Sequence, residues 1–193
     1  VQFFQLNEKT DIVHGDIIVV DSLSKKIGRS NAQDVNTIKQ LLTDNPINQP
    51  GIFFRKKLIN EVGFLNEDLN YVMDREYWFR LLLQNKKFQY IPKPLAKFRL
   101  IHGTKTYNEN EKFRLEWLDI LKKNRSKLNI DEKSFIILTN EIMAQYYFIK
   151  AIKSRLGVST LKYFLKTFLL SKSYRLNFGF YKIILKKLLG IRH

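Results

Sequence analysis

Apolar positions along the first hundred residues come in short, dense bursts. "TDIVHGDIIVVDS", residues 10–22, has the β-branched density and length of a strand, and the polar run "SLSKK" ends it. Residues 34–44 fit a short helix, closed by "DNP" and "NQP", where two prolines mark a loop. "GIFFR", 51–55, suits a short buried strand. "RKKLINEVG", 55–63, predicts a helix with Leu58, Ile59 and Val62 on one face and Gly63 as its stop. "FLNEDLNYVM" reads as a loop, followed by a helix from about Asp74 to Gln84. "KFQYIPKPLAKFRLI", 87–101, gives two short strand-like pieces parted by Pro92 and Pro94.

From about Asn108 the period becomes helical throughout. Residues 109–127, 131–155, 159–171 and 177–189 each carry an apolar stripe. Phe113, Trp117, Ile120 and Leu121 line the first, and Leu138, Ile142, Tyr146, Ile149 and Ile152 the second. Leu161, Phe164, Leu165 and Phe168 line the third, then Tyr181, Ile184, Leu185 and Leu188 the fourth. The expected organisation is an α/β portion over 1–107 and a basic, all-helical region over 108–193.

Composition adds three constraints. An apolar fraction of 45% over 193 residues supports a packed core. The absence of cysteine excludes disulfides and thiolate metal sites, which fits a reducing compartment. No apolar run reaches the roughly 18 residues of a membrane span. The net charge of +16 is uneven: no acidic residue follows Glu141, whereas eleven Lys or Arg do. That asymmetry points to an anionic partner, whether nucleic acid, a phosphorylated ligand or an anionic membrane face; the alternative is a lysine-rich composition with no partner behind it. The first residue is Val, and "VQFFQLNEKT" reads like the middle of an amphipathic helix, so a piece of a longer protein is expected.

The chemistry-bearing stretch is "NYVMDREYWFRLLL", 70–83, which sets Asp74 and Glu76 among aromatic and aliphatic residues. On a helix, Trp78 and Leu81 share the face of Asp74. Glu76 lies about 200° round and four residues before Arg80, the favourable order for an ion pair. Asp74 is therefore either a helix cap or a working carboxylate at the mouth of an aromatic surface. A shared metal at "D-R-E" is unfavourable, because side chains two apart on a helix diverge.

Over residues 10–106 the order of these pieces resembles the second half of the catalytic domain of family 2 glycosyltransferases. The resemblance rests on "HGDIIVVD", taken as a Gly-Asp ending a strand, on "NQPGIFFRKKLINEVGFLNEDLNYVMDREYWFRLLL", and on "FQYIPKPLAKFRLIHGTKT". It implies a partial GT-A (Rossmann-like) α/β sandwich, followed here by the helical region. It also implies an inverting transfer of a sugar from a nucleotide-sugar donor to the hydroxyl of a saccharide or lipid-linked acceptor, in cell-surface polysaccharide or glycolipid synthesis. Asp74 matches the general base. Gln49 and Pro50 match the acceptor-side loop, and Trp78 and Arg80, with Glu76, match the base-bearing helix. Arg99 matches a late strand near the diphosphate. His102 falls one position later than the metal- or phosphate-contacting His of many relatives. A divalent cation, Mg²⁺ or Mn²⁺, is implied, with its main ligands outside this chain. The upstream nucleotide-binding half and its Asp-x-Asp are absent from these residues, so the chain alone is expected to be inactive.

The last helices alternate apolar stripes with lysines: Lys182, Lys186 and Lys187 flank Ile184, Leu185 and Leu188. Either they lie on an anionic membrane surface, or they pack on the domain and leave the lysines in water. A cytoplasmic protein, peripheral on the inner face of the cell membrane, is the expected setting. Nucleic-acid binding and a non-catalytic scaffold are the rival classes. Against the former, no zinc-finger or RRM pattern occurs and the aromatics fall at core helical spacing.

Overall fold

The computed structural model describes residues 2–101 and 109–190. The chain is mixed α/β, a four-stranded mixed sheet followed by a mostly helical region, and it divides into two compact units, Val1–Asn108 and Glu109–His193.

The first unit opens with a helical turn, α1 (Gln2–Leu6), and is built on β1 (Ile12–Val20). This strand is buried over six consecutive residues, the mark of a strand covered on both faces. Its one edge is taken along its whole length by the parallel β4 (Phe88–Arg99). Its other edge is shared end to end. Antiparallel β2 (Lys26–Ser30) pairs with Ile17–Val20, and antiparallel β3 (Ile52–Phe54) pairs with Ile12–His14. In the gap between them a 3-10 turn, Gln49–Gly51, comes down onto β1. A Cβ on Gly51 would stand 3.0 Å from the Gly15 carbonyl oxygen, so only glycine lets the turn approach this closely.

Short helices α2 (Lys39–Leu42) and α3 (Lys57–Val62) precede α4 (Met73–Leu83), which buries Tyr77, Trp78, Phe79, Leu81 and Leu82. Gly63 ends α3 at φ 86°, a left-handed conformation that glycine adopts without strain.

Two sequence expectations change here. The segment 87–101 is one long strand rather than two. β4 steps from Ile91 opposite Gly15 to Pro94 opposite Asp16, and the prolines sit in that bulge, where a missing N–H breaks no ladder bond. The Gly-Asp pair therefore lies mid-strand beside the bulge, not at a strand end. β2 is the element the pattern did not reveal: "KIGRS" is short, polar and mostly exposed, with no alternation to mark it.

The second unit holds α5 (Asn110–Lys123), α6 (Glu132–Lys153), α7 (Val158–Leu170), the short α8 (Lys172–Arg175) and α9 (Phe178–Leu188). Caps follow the expected chemistry: Asp131, Ser171 and Asn177 each accept a backbone N–H from the first turn of the helix they open. Trp117, Ile120 and Leu121 of α5, and Leu138 and Ile142 of α6, are buried as the stripes predict. A second cluster joins Ala151, Phe164 and Phe180, with Phe148, Tyr163, Tyr174 and Ile184 packed around it.

On α7 the expected stripe is not the packed one. Thr160, Phe164 and Thr167 are buried, while Leu161, Leu165 and Phe168 are exposed. The threonine hydroxyls make this possible by bonding to backbone carbonyls. Thr160 donates to Arg155 at 2.7 Å and Thr167 to Tyr163 at 2.9 Å, so each is satisfied without water. On α9, likewise, Phe180 is buried while Tyr181, Leu185 and Leu188 are exposed. Among the described residues, no helix is long and apolar enough to cross a membrane.

Gly15 gives a direct test of the β1–β4 bulge. A Cβ there would meet the Lys93 carbonyl oxygen and Leu95 Cγ, both at 2.7 Å. Gly15→Ala should lower the unfolding free energy by roughly 1–3 kcal/mol in urea titrations. Gly28→Ala, whose nearest neighbour is an ordinary 3.9 Å contact, should change it by less than about 1 kcal/mol.

Candidate active site

Two carboxylates on this unit have opposite environments. Asp16, on β1, is 1% exposed. Its Oδ1 accepts the Ala32 N–H at 2.8 Å and the Tyr90 hydroxyl at 2.9 Å, and its Oδ2 pairs with the Arg29 guanidinium. Burial alone would push this carboxyl up. The Arg29 side chain, the amide and the phenol outweigh it and hold Asp16 below the ordinary aspartate range. Fully engaged in this way, Asp16 has no free oxygen for chemistry.

Asp74 is the other. It is the second residue of α4, not its cap; Val72 takes the cap position, and its carbonyl accepts the Glu76 N–H at 2.8 Å. The Asp74 Oδ1 accepts the N–H of Arg75 at 2.7 Å. The expectation from helix geometry is that free amides and the dipole keep such a carboxylate ionised. The structure reverses the balance. Burial pushes the Asp74 carboxyl above the usual carboxylate range, and the amides of Arg75 and of Asp74 itself only partly offset it. Once deprotonated, it is a stronger base than a surface aspartate.

A cavity of about 430 Å³ opens beside it. Gln49 and Pro50 of the 3-10 turn form one wall, and Ile52 and Phe54 of β3 another. Ile59 of α3 and the loop residues Phe64 and Leu65 close a third, and Asp74, Tyr77 and Trp78 complete the lining from α4. Asp74 is the single carboxylate in this lining. The Trp78 indole N–H and the Tyr77 hydroxyl are buried with no hydrogen-bond partner, although their residues are only 3% and 2% exposed. Unpaired buried polar atoms are unfavourable, so this aromatic wall is held at a cost in stability.

Of the residues singled out by sequence, then, Gln49, Pro50, Asp74 and Trp78 come together. Glu76 and Arg80 do not line the cavity. They form the expected ion pair, Arg80 Nε to Glu76 Oε1 at 2.8 Å, and the rest of the guanidinium donates to the Val62 and Phe64 carbonyls at 2.7 Å each. Those carbonyls flank Gly63, so the pair holds the turn that presents Phe64 and Leu65. Arg99 lies at the far end of β4, opposite Val20, about 20 Å along the sheet from the His14–Ile52 pairing. Its guanidinium donates to the Asp21 and Ser22 carbonyls and to Ser24 Oγ, so it braces the β1–β2 turn and does not reach the cavity. His102 lies outside the described residues.

Sequence reasoning missed Tyr77, the Phe64–Leu65 pair and Arg75. Two adjacent large apolar residues opening a loop, directly after the Gly63 stop, were the available signal for Phe64 and Leu65. Arg75 carried no signal. Its guanidinium is buried and donates to the Leu41 carbonyl and, at 2.8 Å, to that of Asp44, tying the first turn of α4 to the segment after α2.

Among the described residues, no group of three or more His, Asp or Glu side chains is arranged to hold a metal ion. One carboxylate in an apolar cavity is not a donor set for Mg²⁺ or Mn²⁺, which take oxygen ligands from several groups. No protein-family model matches the chain, and no curated protein matches it either.

Two pH-dependent outcomes follow. A raised folded-state pKa means that Asp74 favours the folded state below the ordinary aspartate pKa of about 3.9, an advantage lost as pH rises through the folded value. Asp74→Asn should therefore raise the melting temperature at neutral pH and lose that advantage in acid, as followed by calorimetry. His14, fully buried against Phe88 and Tyr90 with neither ring nitrogen bonded to any of the described residues, has its pKa lowered by burial despite nearby Asp34 and Asp16. Stability present above the ordinary histidine pKa of about 6.5 should fall as pH drops through the His14 folded-state value. In the Asp74→Asn background, His14→Leu should flatten that slope; an unchanged slope would assign it elsewhere.

Proposed function

We propose that this chain carries the acceptor side of an inverting glycosyltransferase of the family 2 type, with Asp74 as general base. One observation carries the reading. Gln49 and Pro50, matched by the resemblance to the acceptor-side loop, and Asp74 and Trp78, matched to the general base and the helix that bears it, lie up to 29 residues apart in sequence; they line one cavity.

In the reaction, an acceptor hydroxyl docks against the aromatic wall and hydrogen-bonds to an Asp74 oxygen. As its oxygen forms the new bond to the anomeric carbon, its proton passes to Asp74. The bond to the nucleoside diphosphate breaks on the opposite face, and the electron pair leaves with the phosphate oxygen. Burial that raises the affinity of Asp74 for a proton makes it a more effective acceptor for that transfer. The apolar lining limits the access of water, which would otherwise take the place of the acceptor. Tyr77 and Trp78 form an aromatic wall on which the apolar face of a saccharide ring stacks.

The nucleotide-sugar site, and the Mg²⁺ or Mn²⁺ that assists departure of the diphosphate in such enzymes, are assigned to residues other than these. The setting is a cytoplasmic enzyme making cell-surface polysaccharide or glycolipid from a saccharide or lipid-linked acceptor.

The test uses a polypeptide that includes the donor-binding half. Asp74→Asn should lower kcat at least about 10²-fold, in the range for loss of a general base, with the donor dissociation constant unchanged. Near-normal turnover by that variant would remove Asp74 from the role. The 193-residue chain alone should show no transfer.

A further inference from the structure

Helices α7 and α9 repeat one pattern at a spacing of twenty residues. On α7, Val158, Leu161, Leu165 and Leu169 fall on an arc of about 80°, and all four are exposed. Lys162 and Lys166 follow on the same side of that arc. Twenty residues on, Phe178, Tyr181 and Leu185 occupy the same arc of α9 and Leu189 follows at its C-cap, all exposed, with Lys182 and Lys186 in the corresponding places. Leu165 is 57%, Leu185 58% and Phe178 83% exposed.

These arcs are not core faces left over from loose packing. Each helix already has a packed side, Thr160–Phe164–Thr167 on α7 and Phe180 with Ile184 on α9, and the latter pair belongs to the cluster around Phe148. Lys187 is also spoken for, donating to the Ile152 carbonyl at 2.7 Å. Two helices of one unit thus each bury a small stripe and turn their larger apolar stripe outward.

We infer that the exposed apolar arcs of α7 and α9 are docking faces for an anionic lipid bilayer, each helix lying in its interface with its arc among the acyl chains. Charge complementarity selects this occupant. The chain carries eleven Lys or Arg and no acidic residue after Glu141, and lysines flank each arc in sequence, where they can meet a headgroup phosphate; of these, Lys166 lies over the Tyr147 ring and donates to its hydroxyl at 3.4 Å. Helix length selects the mode: α7 has 13 residues and α9 has 11, too short to cross a bilayer and long enough to lie along its surface. The inference is independent of glycosyl transfer and stands or falls on lipid alone.

Vesicles provide the test, with the 193-residue chain sedimented against phosphatidylcholine–phosphatidylglycerol and against phosphatidylcholine alone. Binding should be strong on the anionic vesicles, weak on the neutral ones, and weakened by salt. Leu165→Glu/Leu185→Glu, two substitutions on exposed positions, should lower partitioning at least about tenfold at unchanged helical circular dichroism. Should that variant lose helicity, Leu165→Trp and Phe178→Trp, which keep the arcs apolar, decide the matter. Both should shift to the blue on anionic vesicles and be quenched by brominated acyl chains. The inference is overturned by any of four results: no anionic-vesicle binding, binding indifferent to the glutamates in the folded double variant, tryptophans that remain unquenched, or exposed arcs that bring two copies of the chain or an oligonucleotide together in place of lipid.

Discussion

The carboxylate of Asp16 joins three segments that are distant in sequence: its own strand, β2 with the residues just after it (Arg29 and the Ala32 amide), and Tyr90 on β4. A buried charge left without these partners would cost several kcal/mol, so it makes one strand arrangement far more favourable than its neighbours in register. The adjacent glycine works in the same direction. Gly15 leaves room for the β4 bulge on one edge and offers its carbonyl to the approach of Gly51 on the other. Through that approach the 3-10 turn is seated on the sheet, and with it Gln49 and Pro50 at the wall of the cavity.

Asp74 depends on a second layer of support built from arginines. Arg75 and Arg80 lie on the helix that carries it, and both spend their guanidinium groups on backbone carbonyls, of Leu41 and Asp44 in one case and of Val62 and Phe64 in the other. Neither touches the cavity. Each converts a loop that would otherwise be loosely held into a wall, because a planar guanidinium satisfies several carbonyl oxygens in one geometry. The two aspartates of the unit then separate by environment: pairing lowers Asp16, and burial with few compensating bonds raises Asp74. A carboxylate kept poorly paired in an apolar wall lowers stability.

The helical unit shows how far an apolar pattern reads as core. On α5 and α6 the stripes are buried, Trp117 and Leu121 on one and Leu138 and Ile142 on the other. On α7 and α9 the stripe with the most hydrocarbon faces outward, and threonines line the packed side of α7. Periodicity measures the amphipathicity of a helix; it carries no record of which side meets protein and which meets something else.

Local chemistry was sufficient for the placement of β1, α3 with its Gly63 stop, α4 and the four long helices. Those elements follow from side-chain period, caps and turn residues acting within a few positions. It was also sufficient to bring forward Asp74 with Trp78 one helical turn on. What only the tertiary structure decided were properties of distant neighbours. β2 exists because β1 offers it an edge, not because "KIGRS" prefers to be extended. β4 runs through two prolines because Gly15 opposite them leaves space for a bulge. Arg99 and Arg80 went to backbone carbonyls, and Asp74 acquired a raised proton affinity from the surfaces closing round it. A residue's type and spacing set what it can do; its desolvation and its partners, which decide what it does, are set by chain that arrives from tens of positions away.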